Sequence, residues 1–433
     1  MNIPSFALRS EEQATALSIE TLVAQTLSEN PELKFYEAEI VAAKAARSAA
    51  GRLPNPELDL DLGRKAVRSS DTSASGVAWA AALAQPIEWP GRLGLRKAIA
   101  NRDIALAELG LARFKTALAG KVRSLAYGLA LQQERTAAVT EVQNRLTALK
   151  DVIVQRDPAG VTPLLETKVI EATAVVVQKQ AADAEIEMQK ALLELNQLRG
   201  RRATTPLVVR RTDFTFPAYG TADELLAEAA QNNYEIRVRV RELEQQGLKV
   251  ALSKNERFPT FTVGPTLSRE SAGETETVAG IALSVPLPIW NTGKANVTAA
   301  QARLVQGQAS LLSTQREIER QVTEAAMLYQ THQQRLKAWK PDTLKSFREV
   351  AALADRHYRL GAVEVATYVE LQEKYLEALE AINETNAAAV EAALNLEQLV
   401  GITDALVRSS EAEASAKKSP KTRSASSTRV SNP

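Results

Sequence analysis

The sequence predicts a mainly α-helical fold with a small β part, built from two duplicated halves. Three observations predict it: long stretches with an apolar residue at every third or fourth position, a strictly alternating segment, and an internal similarity at an offset of 201 residues. The similarity is visible in Leu195–Gly200 against Leu396–Gly401 and in Trp89 against Trp290. A period this long is typical of two equivalent halves and not of a solenoid.

Both halves have the same order of elements. Each begins with a helical segment, continues with a β-hairpin, passes a proline and glycine corner, and then forms a very long helix and a returning helix. The second half opens with the capping-box pattern of Thr221 and Glu224. We expect an N-terminal segment at 1–17, a first repeat at 18–202, a linker at 203–220, a second repeat at 221–402 and a disordered tail at 403–433.

The hairpins are predicted from alternation. Residues 57–62 read Glu-Leu-Asp-Leu-Asp-Leu, as expected for a strand with one apolar and one polar face. We expect strands at 57–64, 77–87, 260–268 and 278–286. Their apolar face is expected to comprise Leu58, Leu60, Leu62, Trp79, Leu83, Phe261, Val263, Ile281 and Leu283.

The long helices have the apolar spacing of antiparallel coiled coils. Ile318, Val322, Ala325 and Tyr329 step by three or four residues within the second one. This stretch, 294–359, would measure roughly 100 Å if it were wholly helical. Pro341 is expected to bend or restart it, because proline removes a backbone donor and clashes with the preceding turn.

Composition excludes several classes of function. With 53 Lys and Arg against 52 Asp and Glu, the net charge of +1 argues against a nucleic-acid partner. The chain contains two histidines, His332 and His357, and no cysteine, so we predict no metal site, no cofactor and no disulfide. No nucleophile, P-loop or dinucleotide motif is present, and we expect a protein that is not an enzyme. No apolar run approaches the ~20 residues of a membrane-spanning helix.

Four strands of this length cannot close a barrel around a lumen. If three copies pooled their strands, a twelve-stranded transmembrane barrel would form, with the apolar face toward lipid and Glu57, Asp59 and Asp61 toward water. Trp79, Trp89 and Trp290 would then be membrane-interface aromatics.

Four motifs follow one another along the chain: Arg52-Leu53-Pro54-Asn55-Pro56-Glu57-Leu58, Leu83-Ala84-Gln85-Pro86-Ile87-Glu88 with Gly91-Arg92, Leu283-Ser284-Val285-Pro286-Leu287-Pro288 and Tyr358-Arg359-Leu360-Gly361. In this order they resemble the motifs of the TolC family of outer-membrane efflux proteins, and in particular its CzcC-like heavy-metal cation branch. The resemblance covers about 18–402. It implies a homotrimeric channel-tunnel in the outer-membrane lipid with a periplasmic tunnel, docked to a periplasmic adaptor and a proton-driven inner-membrane transporter of the RND type.

The resemblance also implies roles for single residues. The adaptor-docking tips map to Gly160 with Val161 and to Gly361 with Ala362. Acidic residues just after each tip form a periplasmic gate in the family, which makes Glu166 and Glu370 the candidates here. Thr367 occupies the position six residues after Gly361, where the pattern has a second acid.

Two points stay open at this stage. Family members are exported with a signal peptide, and the first residues do not show one, so we expect a misassigned start or a processed chain and no lipid anchor on the sequence as given. The alternative function is a soluble coiled-coil scaffold, which the long helices alone would permit. The matched hairpins argue against it.

Overall fold

A computed structural model describes residues 16–68, 73–156, 164–210, 216–339 and 342–402. The expected tail at 403–433 and most of the segment at 1–17 lie outside the described residues. The elements are α1 (Ile19–Glu29), α2 (Glu32–Ala50), β1 (Glu57–Arg68), β2 (Ser73–Ile87), α3 (Arg92–Arg156), α4 (Leu164–Leu198), α5 (Ala222–Asn232), α6 (Tyr234–Asn255), β3 (Phe261–Ala272), β4 (Glu274–Ser284), α7 (Lys294–Ala338), α8 (Thr343–Arg359) and α9 (Val365–Val400).

The four strands form one antiparallel sheet in the order β1-β2-β3-β4. Its central pair, β2 with β3, joins the hairpin of the first half to that of the second. The strands extend further toward the hairpin turns than alternation predicts: β1 ends at Arg68, and β4 begins at Glu274. Backbone pairing continues there because it needs no apolar side chain.

Two glycines allow β2 and β3 to approach each other. A Cβ atom on Gly76 would overlap the carbonyl oxygen of Ser271, and one on Gly264 would overlap the carbonyl oxygen of Leu83. Backbone atoms cannot move away as a flexible side chain can, so both positions require a residue without a Cβ atom.

The chain divides into two compact units. One contains the described residues of 34–113 and 234–317, and with them the whole sheet. The other contains the described residues of 1–33, 114–233 and 318–433, and with them α4, α8 and α9. The helices α3 and α7 supply residues to both units.

The helical unit has a core of side chains at heptad-like spacing. Val142 and Leu146 of α3, Ile170 of α4, and Tyr368 and Leu379 of α9 are at most 1% exposed. Of the predicted helical seam, Ile318, Val322, Ala325 and Tyr329 are buried, whereas its last two residues, His332 and Leu336, are half-buried. Apolar burial of this kind supplies most of the stability of such helices.

The first long helix is unbroken and the second is interrupted. The 65 residues of α3 correspond to about 100 Å at 1.5 Å per residue. The second long helix ends at Ala338, and α8 begins at Thr343. Pro341, which we expect to bend or restart the helix, falls between them in the sequence and lies outside the described residues. Within the described residues, no helix has both the length and the apolar character needed to cross a membrane.

Two asparagines make the same contact in the two halves. Asn30 ends α1 and donates from Nδ2 to the carbonyl oxygen of Leu198 at 2.9 Å, whereas Asn233 ends α5 and donates to that of Leu399 at 2.7 Å. Both asparagines are buried. The glycines that follow these carbonyls, Gly200 and Gly401, have φ of 63° and 77°, which closes α4 and α9 with a left-handed turn. In each half, a hydrogen bond therefore joins the end of the first helix to the end of the last helix.

In the described part of 203–220 the chain forms no helix and one isolated β-bridge, from Val209 to Leu17, and two tyrosine hydroxyls hold it or its neighbours in place. Tyr219 Oη donates to Glu397 Oε1 at 2.8 Å, and Tyr329 Oη donates to the Pro217 carbonyl oxygen at 2.6 Å. Burial raises the pKa of Tyr219 far above its usual value, and the Glu397 carboxylate adds to the effect. The Tyr219 hydroxyl therefore stays protonated as a donor.

We predict that Gly264→Ala lowers the free energy of unfolding by about 3 kcal/mol or more, because the new Cβ would separate β2 from β3 at the Leu83 carbonyl. The matched control is Gly280→Ala, whose Cβ would meet only Thr266 Oγ1 at 3.7 Å. Chemical denaturation of both purified variants, followed by circular dichroism, measures the difference. Equal stability of the two variants would contradict the assigned close approach.

Candidate functional site

The sheet has one apolar face. Residues directly opposite each other on antiparallel strands point to the same side, and alternate residues along a strand point to opposite sides. The register pairs Leu62 with Trp79 and Val263 with Leu283, so the nine predicted apolar residues all share this face. Leu62 is 83% exposed and Ile281 is 80% exposed. An exposed apolar surface of this extent indicates an interaction with lipid or protein.

The opposite face is polar and lined by small residues. Glu57, Asp59 and Asp61 of β1 lie on it and pair with Ala84, Ala82 and Ala80 of β2. The residues that continue these rows across β3 and β4 are small or of medium size: Gly264, Thr266, Ser268, Val278, Gly280 and Ala282. Short side chains leave the space in front of this face open.

Four charged residues of the polar face escaped the sequence analysis. Glu270, Glu274 and Glu276 lie on it near the hairpin turns, together with Lys65. Lys65 Nζ lies 2.6 Å from Glu270 Oε2 and 3.8 Å from Glu276 Oε2. One sequence signal could have found two of them. Glu274-Thr275-Glu276, just before the predicted strand at 278–286, has the same two-residue spacing of acids as 57–61.

The charge of the polar face is strongly negative. Its described strand residues include six carboxylates and one ammonium, a surplus of five negative charges per chain. A surface with one dominant sign attracts ions of the opposite sign and excludes those of the same sign.

At the end of the sheet that lies away from the hairpin turns, a buried arginine binds the chain next to β3. The Arg92 guanidinium, in the Gly91-Arg92 motif, donates to Thr260 Oγ1 at 2.7 Å and to the Phe258 carbonyl oxygen at 2.7 Å. Beside it the Trp89 ring stacks on Phe258 with ring centroids 4.6 Å apart. The arginine therefore ties the start of α3 to the chain that enters β3.

Two of the three candidate interface tryptophans lie just beyond a strand, and the third lies in the middle of a strand. Trp79 is within β2 and 37% exposed, Trp89 follows β2 and is 39% exposed, and Trp290 follows β4 and is 93% exposed. Rings that expose this much area outside a core are typical of an interface between an apolar and an aqueous phase.

The turn between α8 and α9 is exposed and closed by a glycine. Gly361 has φ of 75°, and the Ala362 N–H donates to the His357 carbonyl oxygen at 2.9 Å, as in other left-handed helix ends. Leu360 next to it is 77% exposed. The corresponding predicted tip of the first half, Gly160 with Val161, lies outside the described residues.

The gate candidates lie on exposed helix faces, a few residues after the two predicted tips in the sequence. Glu166 is in the first turn of α4. Thr367 and Glu370 lie one turn apart on the exposed face of α9, whereas the neighbouring Tyr368 is fully buried. A carboxylate in the first turn of a helix also interacts favourably with the helix dipole.

No cluster of three or more His, Cys, Asp or Glu side chains suited to a metal ion occurs in the part of the chain that the structure describes. His332 is half-buried in α7, and His357 is exposed near the α8–α9 turn.

The fold is similar to several solved structures. The outer membrane channel CmeC of Campylobacter jejuni matches with a TM-score of 0.71 at 14% identity, covering 96% of this chain and 97% of that one. The MtrE outer membrane channel of Neisseria gonorrhoeae, solved in an open state, gives 0.68 at 15% identity over 93% and 97%. CusC, described in terms of transmembrane channel formation, gives 0.69 at 14% identity over 92% and 96%. The fold is therefore the TolC-like channel-tunnel fold with duplicated halves.

Sequence comparison identifies the family. A search of curated proteins gives no significant match. The family model described as "Outer membrane efflux protein" matches twice, over residues 22–201 and 225–402, and so covers most of both halves. The members of this family are efflux channels, which transport solutes and are not enzymes. The chain belongs to the outer membrane efflux protein family.

Proposed function

We propose that three copies of this chain form the outer-membrane duct of a tripartite efflux system and passively conduct heavy-metal cations to the exterior. The observation that carries the proposal is the four-stranded sheet, with its exposed apolar face, its acidic face and its two unpaired edges.

The edges of the sheet support assembly. Both outer strands, β1 and β4, are almost wholly exposed in the single chain. Unpaired edges of this length favour pairing with another chain. If β1 of each copy pairs with β4 of the next, three copies close a twelve-stranded barrel without any free edge.

The apolar face has the dimensions of a membrane band. On β2 it runs from Ile87 to Trp79, eight steps from residue to residue, which is about 27 Å along the strand. A strand tilt of ~40° reduces this to roughly 20 Å along the membrane normal, close to the ~25 Å of known outer-membrane barrels. Trp89 and Trp290 follow at the periplasmic end, where an aromatic girdle is expected.

The acidic face supports cation passage. Inside a closed barrel it would line the lumen, and its small residues would leave the lumen open. Three copies would place nine carboxylates from Glu57, Asp59 and Asp61 around one pathway, and rings of acids favour cations. The resemblance to the CzcC-like branch adds the assignment to heavy-metal cations.

The helical unit supports docking to partner proteins. We assign Gly160, Val161, Gly361 and Ala362 to the tips that meet a periplasmic adaptor, which links the duct to an RND-type inner-membrane transporter. That transporter would supply the energy. The repeats at 18–202 and 221–402, joined by the linker at 203–220, would then each supply one hairpin and one helical tip.

Glu166, Thr367 and Glu370 are assigned to a gate. They follow the tips by a few residues, and all three are exposed on their helices. In a trimer, carboxylates at this level would be available for ion pairs that hold the tips together. Thr367 would contribute a neutral hydroxyl to the same ring.

A coiled-coil scaffold is the competing function. The long helices are compatible with a scaffold, but a scaffold does not require a sheet with one apolar and one acidic face. The sheet therefore favours the duct.

The first prediction from this proposal concerns assembly. Expressed with an added signal sequence, the protein is expected in the outer-membrane fraction and, by light scattering in detergent, at about three times 47.0 kDa. A monomer or a coiled-coil dimer in the aqueous fraction would support the scaffold instead.

The second prediction concerns ion selectivity in planar bilayers. Replacing Glu57, Asp59 and Asp61 by their amides reduces the surplus of negative charge on the acidic face from five to two per chain and should lower cation selectivity. Lys65→Gln raises the surplus to six and should increase it. The reversal potential in a salt gradient measures both. Shifts in the same direction for the two variants would refute the assignment of this face to the lumen.

The third prediction concerns the gate. Glu166→Ala combined with Glu370→Ala should increase single-channel conductance, because ion pairs that close the tips would be lost. The matched control removes exposed acids far from the tips on the same helices, Glu187→Ala with Glu391→Ala. If the first variant conducts like the wild type, these residues do not close the channel.

A further inference from the structure

All the carboxylates of the sheet lie on one of its two faces. Among the described strand residues, all six carboxylates and Lys65 lie on the polar face. The apolar face has three charged residues in the same described strands, and all are arginines: Arg64, Arg68 and Arg269. An apolar surface with charges of one sign at one end has the pattern expected for contact with an anionic lipid layer.

The arginines begin where the apolar band ends. The register places Leu62, Trp79 and Arg269 side by side on β1, β2 and β3, and pairs Arg64 with Val77 one pleat nearer the hairpin turns. Arg64 and Arg269 are thus two strands apart, about 10 Å across the sheet and about 7 Å along it. Both lie next to Trp79, and their long side chains can reach one phosphate group between them.

Within the described residues, no carboxylate neutralises these arginines. The Arg64 guanidinium donates to Ser75 Oγ at 2.7 Å, which is a neutral partner, and Arg269 is exposed. The cation on the other face differs, since Lys65 is paired with Glu270 at 2.6 Å. The arginines therefore keep their full charge on the side that would face lipid.

We propose that Arg64 and Arg269, on either side of Trp79, bind the phosphate headgroup of an anionic lipid in the leaflet that the hairpin turns reach. The guanidinium forks form paired hydrogen bonds with phosphate oxygens, and the Trp79 ring lies at the level of the headgroups. Arg68, four residues beyond Arg64, extends the basic surface toward the aqueous side. This inference rests on the proposed membrane barrel.

The test compares lipid affinities of the assembled full-length protein in detergent. The probe is bis-phosphorylated lipid A, titrated against wild type, Arg64→Gln with Arg269→Gln, and the matched control Lys65→Gln from the opposite face. Each basic residue near an anionic lipid surface contributes a factor of about five, so the double variant should bind roughly 30-fold more weakly. The Lys65 variant should stay within about two-fold of wild type, since its charge lies on the other face of the sheet.

Two further arms use the wild-type protein and need no variant. Lipid A without its phosphates should bind roughly 30-fold more weakly than bis-phosphorylated lipid A, because the arginines would then have no anionic partner. Inorganic phosphate at millimolar concentration should leave lipid A binding unchanged. Equal affinity for both lipids, or displacement of lipid A by inorganic phosphate, would overturn the lipid assignment.

Failure of the inference is distinguishable from failure of the proposed duct. A trimer that conducts ions but binds lipid A with the same affinity after loss of both arginines keeps the duct and overturns the headgroup site. A protein that neither assembles nor conducts as wild type overturns both. An Arg64→Lys with Arg269→Lys variant, which retains the charge, should recover most of the affinity that the glutamine variant loses.

Discussion

The antiparallel pairing of β2 with β3 is the constraint on which the rest of the structure depends. It is the link between the hairpins of the two halves, and it fixes the register of one hairpin relative to the other. Because side chains alternate with a period of two, a slip of one residue in this pairing would place the acids of one hairpin on the same side as the apolar residues of the other. Gly76 and Gly264 hold the register, since at each position a Cβ atom would overlap the backbone of the paired strand. The separation of acidic, apolar and basic surfaces follows from this pairing.

Periodicity was enough to predict much of the fold. Alternation placed the strands, three- and four-residue spacing placed the long helices, and Pro341 placed the interruption between α7 and α8. The 201-residue offset predicted two equivalent halves, and the equivalent contacts of Asn30 and Asn233 agree with it. These features depend on residues close together in the chain or on a pattern that occurs twice, so they can be recognised in a single sequence.

The remainder depends on contacts that local pattern does not encode. The pairing of Lys65 with Glu270 joins residues that are 205 positions apart, and only the register of the central strands reveals it. The four hydrogen bonds from Arg92 to the 255–260 segment also join distant residues, 163 to 168 positions apart. The position of Arg64 and Arg269 on one face of the sheet likewise follows only from the pairings of β1 with β2 and of β2 with β3. Sequence reasoning found Glu57, Asp59 and Asp61 because they alternate with leucines, and it missed the acids beyond the apolar stretch.

The contacts of Asn30 and Asn233 have a consequence for how such a chain can arise. Each asparagine bonds a carbonyl at the end of its own half, so the entrance and exit of each half lie side by side. A unit whose ends meet can be copied in tandem with only a short connecting peptide, because the second copy begins where the first one stops. The 20 or so residues of the linker are ample for that distance. A gene fusion of two identical subunits would thus preserve the packing of both.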